Sequence, residues 1–445
     1  MLDEVKPVRV PVEAKQAGET QLPDRDWVQR PVWTERMLEA LEKGVKGGVW
    51  FSLIDKILRP STLYAAWSAV ARNKGSAGTD HQTIEQFGQD LTANIERLCE
   101  ELRTRSYKPR PIKRVYIDKP GSKEKRPLGI PCVRDRIVQA AVRLVIEPIF
   151  ENQFVEHSYG FRPGRGCKDA LREVERLLNA GYTHVVDADI RSYFDSIPHG
   201  RLMEEIGRSI ADGRVLELIE SFLTQDVLEG LPLWTPEQGS PQGAVISPLL
   251  ANLYLHSVDK AMAEAGFEMI RYADDLVVMC SDAHQADKAV GNLRELLEKK
   301  GLSLHPEKTK LVDMSVEGDG FDFLGYHFGN GTRVPRKKSL KRFKDSIRSR
   351  TRRTNGHSMA VIIAGINPIL RGWFEYFKHS HRWTFEAIDA WIRRRMRSIL
   401  RKRIGLQGIS PMGRDHQRWP NKFFRDYGLF SLVDARTSLL QPSSR

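Results

Sequence analysis

Two apolar strands that end in carboxylates constrain this chain more than any other feature. THVVDADI, residues 183–190, reads as a buried strand. A second apolar strand runs through Glu268 to Cys280 and is interrupted by a polar turn at Ala273-Asp274-Asp275. Ile270, Tyr272 and Ala273 precede the adjacent aspartates, and Leu276, Val277 and Val278 follow them. Neighbouring carboxylates at the tip of a buried hairpin repel each other, and burial is costly unless something positive neutralises them. A hard divalent cation does so through oxygen ligands, and magnesium favours one or two carboxylates plus substrate phosphates. Taken alone, the Asp-Asp pair also fits an ordinary solvated turn. Asp187 and Asp189 end the first strand. They are expected to face opposite sides of the sheet, so that only one joins a site on a given face. A third carboxylate beside Asp274 and Asp275 completes a two-metal clamp for in-line nucleotidyl transfer.

Around these strands the pattern is mixed helix and strand. Helical spacing runs from Phe51 to Ala71 and from Ile84 to Arg103, with the loop GSAGTD between them. YKPRPIKRVYIDKPGSKEKRPLGIP, residues 107–131, alternates apolar with basic residues around a Pro-Gly turn and reads as a basic β-hairpin. Helices are predicted from Val133 to Glu151, Lys168 to Ala180, Ser247 to Ala263 and Asp282 to Lys300. FDFLGYHF, 321–328, alternates and reads as one more hairpin strand. Residues 1–49 read as a mobile leader with a single helix near Glu35 to Lys43. A boundary near 332 separates residues 50–332 from 333–445. Residues 333–353 hold eleven Lys or Arg and one acidic residue, and helical stretches follow near 338–352, 359–378 and 384–403.

The charge balance suits a polyanionic partner. Lys and Arg number 70 against 57 Asp and Glu, a net charge of +13. Each cation set against a phosphate releases condensed counterions. The four cysteines, Cys99, Cys132, Cys167 and Cys280, form no C-x-x-C pair and suggest neither a zinc module nor a disulfide framework. The N-terminus lacks a secretory pattern, and no apolar run is long enough to span a bilayer, so a cytoplasmic protein with no membrane partner is expected.

DADIRSYFDSIPH, GSPQGAVISPLLANLYL and RYADDLVVMC, in that order, resemble three successive motifs of group II intron-encoded reverse transcriptases. GSAGTD, KRPLGIPCVRDRIVQAAV, HSYGFRPGRGCKDAL, GLSLHPEKTK and FDFLGYHF match surrounding blocks, from about Trp50 to Arg403, with a weaker match at WPNKFFRDYGLFSL. The resemblance implies an α+β right-hand polymerase. Fingers and a palm of antiparallel sheet plus helices occupy 50–332, and an α-helical basic thumb, or maturase domain, occupies 333–445.

The resemblance also implies roles. It selects Asp189 over Asp187 as the partner of Asp274 and Asp275 in holding two Mg²⁺ ions, with Mn²⁺ able to substitute. Phe194 matches a steric gate that excludes a 2′-hydroxyl and favours deoxynucleoside triphosphates. Gln242 and Gly243 match the block touching the incoming nucleotide and the template. Lys119, Lys125 and above all Arg126 match cations that clamp the triphosphate. Lys308 falls where the family places a lysine near the leaving pyrophosphate, a position for a general acid. Arg162 and Arg165 are read as template-phosphate contacts, with capping of the next helix as the alternative. Arg336, Lys337, Lys338, Arg393 and Arg394 belong to basic helical faces, joined by Arg395, Arg397 and Arg401 and by the aromatic-basic stretch GWFEYFKHSHRW.

The implied function is RNA-directed DNA synthesis on an RNA template from a DNA primer. Binding of the parental group II intron RNA would assist splicing and mobility. Many relatives carry a C-terminal endonuclease module with paired Cys and His; none is visible before Arg445, so target-strand cleavage is not expected. The alternatives are a domesticated or defence-associated reverse transcriptase and a splicing factor that binds RNA without needing polymerase activity. The Ser-Pro-Gln-Gly loop and the long basic thumb favour the intron-encoded class, and the full set of carboxylates favours an active enzyme.

Overall fold

The computed structural model describes residue 28 and residues 32–45, 47–118, 125–329, 331–406 and 412–440. Its centre is an antiparallel sheet built from the two carboxylate-bearing segments. We label the strands β1 (Ile112–Asp118), β2 (Lys125–Ile130), β3 (His184–Asp189), β4 (Val227–Leu228), β5 (Leu233–Trp234), β6 (Glu268–Tyr272), β7 (Asp275–Cys280), β8 (Lys310–Asp313), β9 (Gly320–Phe323), β10 (Tyr326–Gly329) and β11 (Thr332–Pro335). The central sheet has the order β6-β7-β3-β8. Its inner strands are apolar on both faces because both faces are covered. On one face Val186, Ala188, Leu276 and Val278 join the core formed with helices Ser247–Glu264 and Ala283–Lys299. On the other, Val185, Val277 and Met279 pack with Leu171 and Val174 of helix Cys167–Asn179 and with Phe321, Phe323 and Tyr326.

FDFLGYHF is therefore two strands rather than one. Leu324 (φ 46°) and Gly325 (φ 84°) form the tight turn between β9 and β10, and β11 completes a small sheet of order β11-β10-β9. The basic hairpin β1–β2 is antiparallel and extends into a four-stranded sheet, β2-β1-β4-β5, with β1 and β4 parallel. Helix Val133–Glu151 runs through the interior beside helix Pro60–Arg72, and almost all of its turns are buried.

The expectation of a mobile leader over 1–49 does not hold for 32–43. Helix Glu35–Lys43 is capped by Thr34, and Val32, Trp33, Met37 and Leu41 are buried. Trp33 Nε1 donates to the Leu144 carbonyl at 3.1 Å, which anchors the segment to the interior helix.

The C-terminal part is helical: Lys337–Arg350, Met359–Phe377, Arg382–Arg403, Met412–Arg418, Asn421–Asp426 and Leu432–Leu440. It has its own core, in which Phe343, Ile347, Ile366, Phe374, Phe385 and Met396 meet. Trp373 and Phe377 link that core to the β9–β10 hairpin. The architecture is α+β, a right hand of fingers, palm and helical thumb. Among the described residues no helix is long and apolar enough to cross a membrane.

Candidate active site

Four carboxylates meet at one end of the central sheet. Asp189 lies opposite Asp275 in the β3–β7 ladder, and Asp187 lies opposite Val277. Residues directly opposed in an antiparallel pair point to one face, and so do residues two apart on a strand. Asp187, Asp189 and Asp275 thus project together onto the face shared by Val185 and Val277. The expectation that Asp187 turns away is overturned, because a spacing of two returns a strand to the same side. Asp187 is a member of the cluster.

The electrostatics match this crowding. Burial, then Asp187 and Asp274, push the Asp275 carboxyl up to about 7, against stabilisation by the Leu324 N–H and the Arg336 guanidinium. Burial and the neighbouring Asp322 push Asp187 up to about 6. Asp274 is raised by burial and Asp189 and partly relieved by Arg126 and Arg271. Lys308 supplies the direct counter-charge of Asp189, its Nζ donating to Oδ2 at 2.5 Å. The loop carrying Lys308 is held there by His305 N–H, which donates to the Asp189 carbonyl at 2.7 Å. Carboxylate oxygens raised by burial and by one another are the hard donors that suit a divalent cation, so the residues present fit the expected metal.

A buried cation positions the turn. Tyr272 pairs with Asp275, which leaves Ala273 and Asp274 as a two-residue loop. Ala273 holds φ 60°, where a Cβ costs roughly 1–2 kcal/mol. Arg271, 1% exposed, donates through Nη1 to the Ala273 carbonyl at 3.0 Å and to Asn252 Oδ1 at 2.9 Å. Its Nε donates to Asp259 Oδ1 at 2.7 Å, and Nη2 to Ser158 Oγ at 2.8 Å and to Asp259 Oδ2. All five guanidinium donors are used. Asn252 Nδ2 in turn donates to the Gly160 carbonyl at 2.6 Å. Gly160 packs so closely that a Cβ there would lie 2.3 Å from Ala273 N. The sequence reading missed Arg271. Its signal was a charge set between Ile270 and Tyr272 in a strand that reads as buried, where it has to be paired.

The fingers side faces the same cluster. Arg126 Nε donates to Gln242 Oε1 at 2.6 Å, and Gly129 N–H donates to the Gln242 carbonyl at 2.7 Å. Gly243 has φ 109° and a Cβ there would meet the Gly129 carbonyl at 2.5 Å, so only glycine fits. Phe194 is buried, and its carbonyl accepts from Ser240 N–H at 2.7 Å. Lys125 is exposed at the start of β2. Lys119 lies outside the described residues.

The template-phosphate reading of Arg162 is overturned. The Arg162 side chain is 3% exposed. It donates to Glu151 at 2.7–3.0 Å and to the carbonyls of Val155 (2.5 Å) and Ser158 (2.7 Å), so its donors serve the loop rather than a phosphate. Arg165 packs over Tyr159 and donates to the Glu156 carbonyl. In the thumb, Lys337, Lys338 and Arg394 are exposed. Arg336 sits near Asp275, and Arg393 lies 3.8 Å from Asp389. Arg395, Arg397 and Arg401 do not form an open basic face. They bond Thr351, Trp419 and Asn421, and Asp415 respectively.

A sheet end with clustered carboxylates, faced by a basic hairpin and a glycine loop, defines a palm of the nucleotidyl-transfer type. Residues 117–328 match the family described as reverse transcriptase (RNA-dependent DNA polymerase), and residues 340–409 match the group II intron, maturase-specific domain. The group II intron-encoded protein LtrA of Lactococcus lactis subsp. cremoris is 35% identical over 249 residues, 55% of this chain and 41% of LtrA. Protein YkfC of Escherichia coli K12 is 32% identical over 328 residues, 64% of this chain and 84% of YkfC. The putative COX1/OXI3 intron 1 protein of Saccharomyces cerevisiae is 24% identical over 392 residues, 73% of this chain and 46% of that protein. This chain belongs to the group II intron reverse transcriptase and maturase family. The match to LtrA spans less than half of that relative's length.

Proposed function

We propose that this chain is an RNA-directed DNA polymerase that extends a DNA primer on an RNA template, and that it binds a group II intron RNA to assist splicing and mobility. The observation that carries the reading is the crowding of Asp187, Asp189, Asp274 and Asp275 at one sheet end, faced by Arg126, which Gln242 holds. Asp189, Asp274 and Asp275 would hold two magnesium ions, with manganese able to substitute, which would supply activation of the primer 3′-hydroxyl and neutralisation of charge on the triphosphate. Asp187 adds negative charge beneath the ligands.

The rest of the reaction falls to side chains that bind and orient. Arg126 is fixed by Gln242, which leaves its remaining donors for triphosphate oxygens, and Lys125 adds charge beside it. Lys119 is assigned the same role from the sequence. Gly243 lets the backbone approach the base pair, and the Phe194 ring sits beneath the sugar and rejects a 2′-hydroxyl. Lys308, which pairs with Asp189 here, would be positioned to donate its proton to the leaving pyrophosphate. The exposed thumb cations Lys337, Lys338 and Arg394, with Arg393 and Arg336, bind RNA phosphates.

The matched maturase-specific segment favours the splicing role as a second activity of the same chain. Primer extension on an RNA template with Mg²⁺ separates the two. Asp274→Ala should lower extension by about 10³-fold or more while intron RNA binding and splicing assistance persist. Undiminished extension by Asp274→Ala would overturn the polymerase reading.

A further inference from the structure

A second recess lies beside the Ser240–Gly243 loop, outside the carboxylate cluster. It is a cavity of about 220 Å³ whose walls include Arg114, Asp195, Trp234, Gln238 and Ser240. Trp234 ends β5 and is 40% exposed, and the Arg114 guanidinium stands 5.2 Å from its ring centroid. The cation rests on the indole and steadies it as a flat wall. Ser240 is 2% exposed, and its hydroxyl has no hydrogen-bond partner. Arg114 Nε is likewise shielded from solvent and unpartnered. Buried polar atoms are almost always satisfied, and both of these belong to residues that line the cavity, so it marks a place where a ligand can complete the bonding after a small side-chain adjustment.

The chemistry of the walls narrows the ligand. Arg114 is balanced by Asp195, whose carboxyl is raised by burial and lowered by Arg114 and Arg126, and Glu237 adds another carboxylate. A phosphate is disfavoured in such company. A neutral, flat molecule with donors and acceptors on its edge is favoured. A nucleobase has a π-face for the indole and an edge for the Ser240 hydroxyl, the Gln238 amide and the Asp195 carboxylate.

Position narrows it further. Ser240 N–H is bonded to Phe194, and Gln242, two residues on, is bonded to Gly129 and Arg126. Two residues are about 7 Å of chain, of the order of one nucleotide step in an extended strand. We propose that this cavity holds an unpaired base of the template strand, next to the base being copied, with Trp234 as its stacking platform. The proposal rests on the polymerase reading and adds a template subsite to it.

The test is equilibrium binding of a DNA primer on RNA templates that either end flush or continue for several unpaired nucleotides. Wild-type protein should prefer the longer template, and Trp234→Ala should remove roughly tenfold of that preference, as loss of one stacked base does. Trp234→Phe should keep most of it. Ser240→Ala removes a hydroxyl with no protein partner and should weaken the preference without lowering thermal stability. In extension assays the KM for deoxynucleotides should be unchanged in Trp234→Ala. An intact preference in both alanine variants overturns the template subsite. So does a raised KM with the preference intact, which would assign the recess to the incoming nucleotide. Wild-type protein that binds the longer template better yet never extends the primer would overturn the polymerase reading and leave the subsite standing.

Discussion

The end of the central sheet and the helix Arg382–Arg403 both concentrate charge of one sign, and the protein treats them in opposite ways. In the helix, three of the arginines that read as a basic face are internally satisfied. Arg395 bonds the Thr351 hydroxyl and carbonyl, Arg397 bonds Trp419 and Asn421, and Arg401 pairs with Asp415. At the sheet end, only Asp189 of the four carboxylates forms an ion pair among the described residues. Asp187 and Asp275 are left crowded enough to bind protons near neutrality. Backbone strain follows the same division. Ser192, Ala273 and Leu324 hold positive φ beside the carboxylates, whereas the C-terminal helices contain no non-glycine residue of that kind among the described positions. A dense run of charge is a binding face only where its partners are missing. Strain and unmatched charge together mark the site that a ligand completes.

The largest expected effect breaks the support beneath the aspartates. Arg271→Met strands Asp259 in the core and should lower stability by roughly 3–5 kcal/mol. Arg271→Met with Asp259→Leu should recover most of that stability, because two apolar groups replace a buried pair. Extension should stay down about 100-fold, since the Ala273 turn is no longer held and small misplacements are costly. A double variant that regains activity along with stability would reduce Arg271 to a core residue.

Phe194→Val comes next and probes the wall rather than the charge. It should raise ribonucleotide incorporation by roughly tenfold, measured as the ratio of kcat/KM for the two sugars. Unchanged discrimination would remove the gate.

The thumb arginines sharpen the contrast directly. Arg397→Ala should cost stability, about 1–3 kcal/mol for the partners it leaves, with little change in RNA affinity per folded molecule. Arg394→Ala should leave stability alone, weaken RNA binding a few-fold and lower the salt slope by about 1. The reverse pattern would mean that the inward arginines open to bind RNA.

Much of this was legible because apolar patterning is local. The strands ending at Asp189 and flanking Asp274 and the helix Val133–Glu151 followed from runs of Val, Ile and Leu. Other features depended on contacts distant in sequence. FDFLGYHF reads as one alternating strand until Leu324 and Gly325 adopt positive φ. Arg162 looks like a loop cation until Glu151, eleven residues earlier, is found against it. Strands β4 and β5 are two residues each, too short to carry an alternation, and they bring Trp234 beside Ser240. Asp187 was misplaced by the reading of its face, although the spacing itself carried the answer.

If the carboxylate cluster is a divalent metal site, thermal stability must depend on pH and on magnesium together. Asp187 and Asp275 rise from 3.8 to about 6 and about 7 on folding. Without metal, the folded state therefore holds protons that the unfolded chain has released, so stability falls as pH rises from about 4 to about 7. Magnesium should raise the melting temperature clearly at pH 8 and little at pH 5. Asp275→Asn should raise metal-free stability at pH 8 and blunt the magnesium effect. Equal magnesium stabilisation at both pH values, or an undiminished shift in Asp275→Asn, would contradict the account.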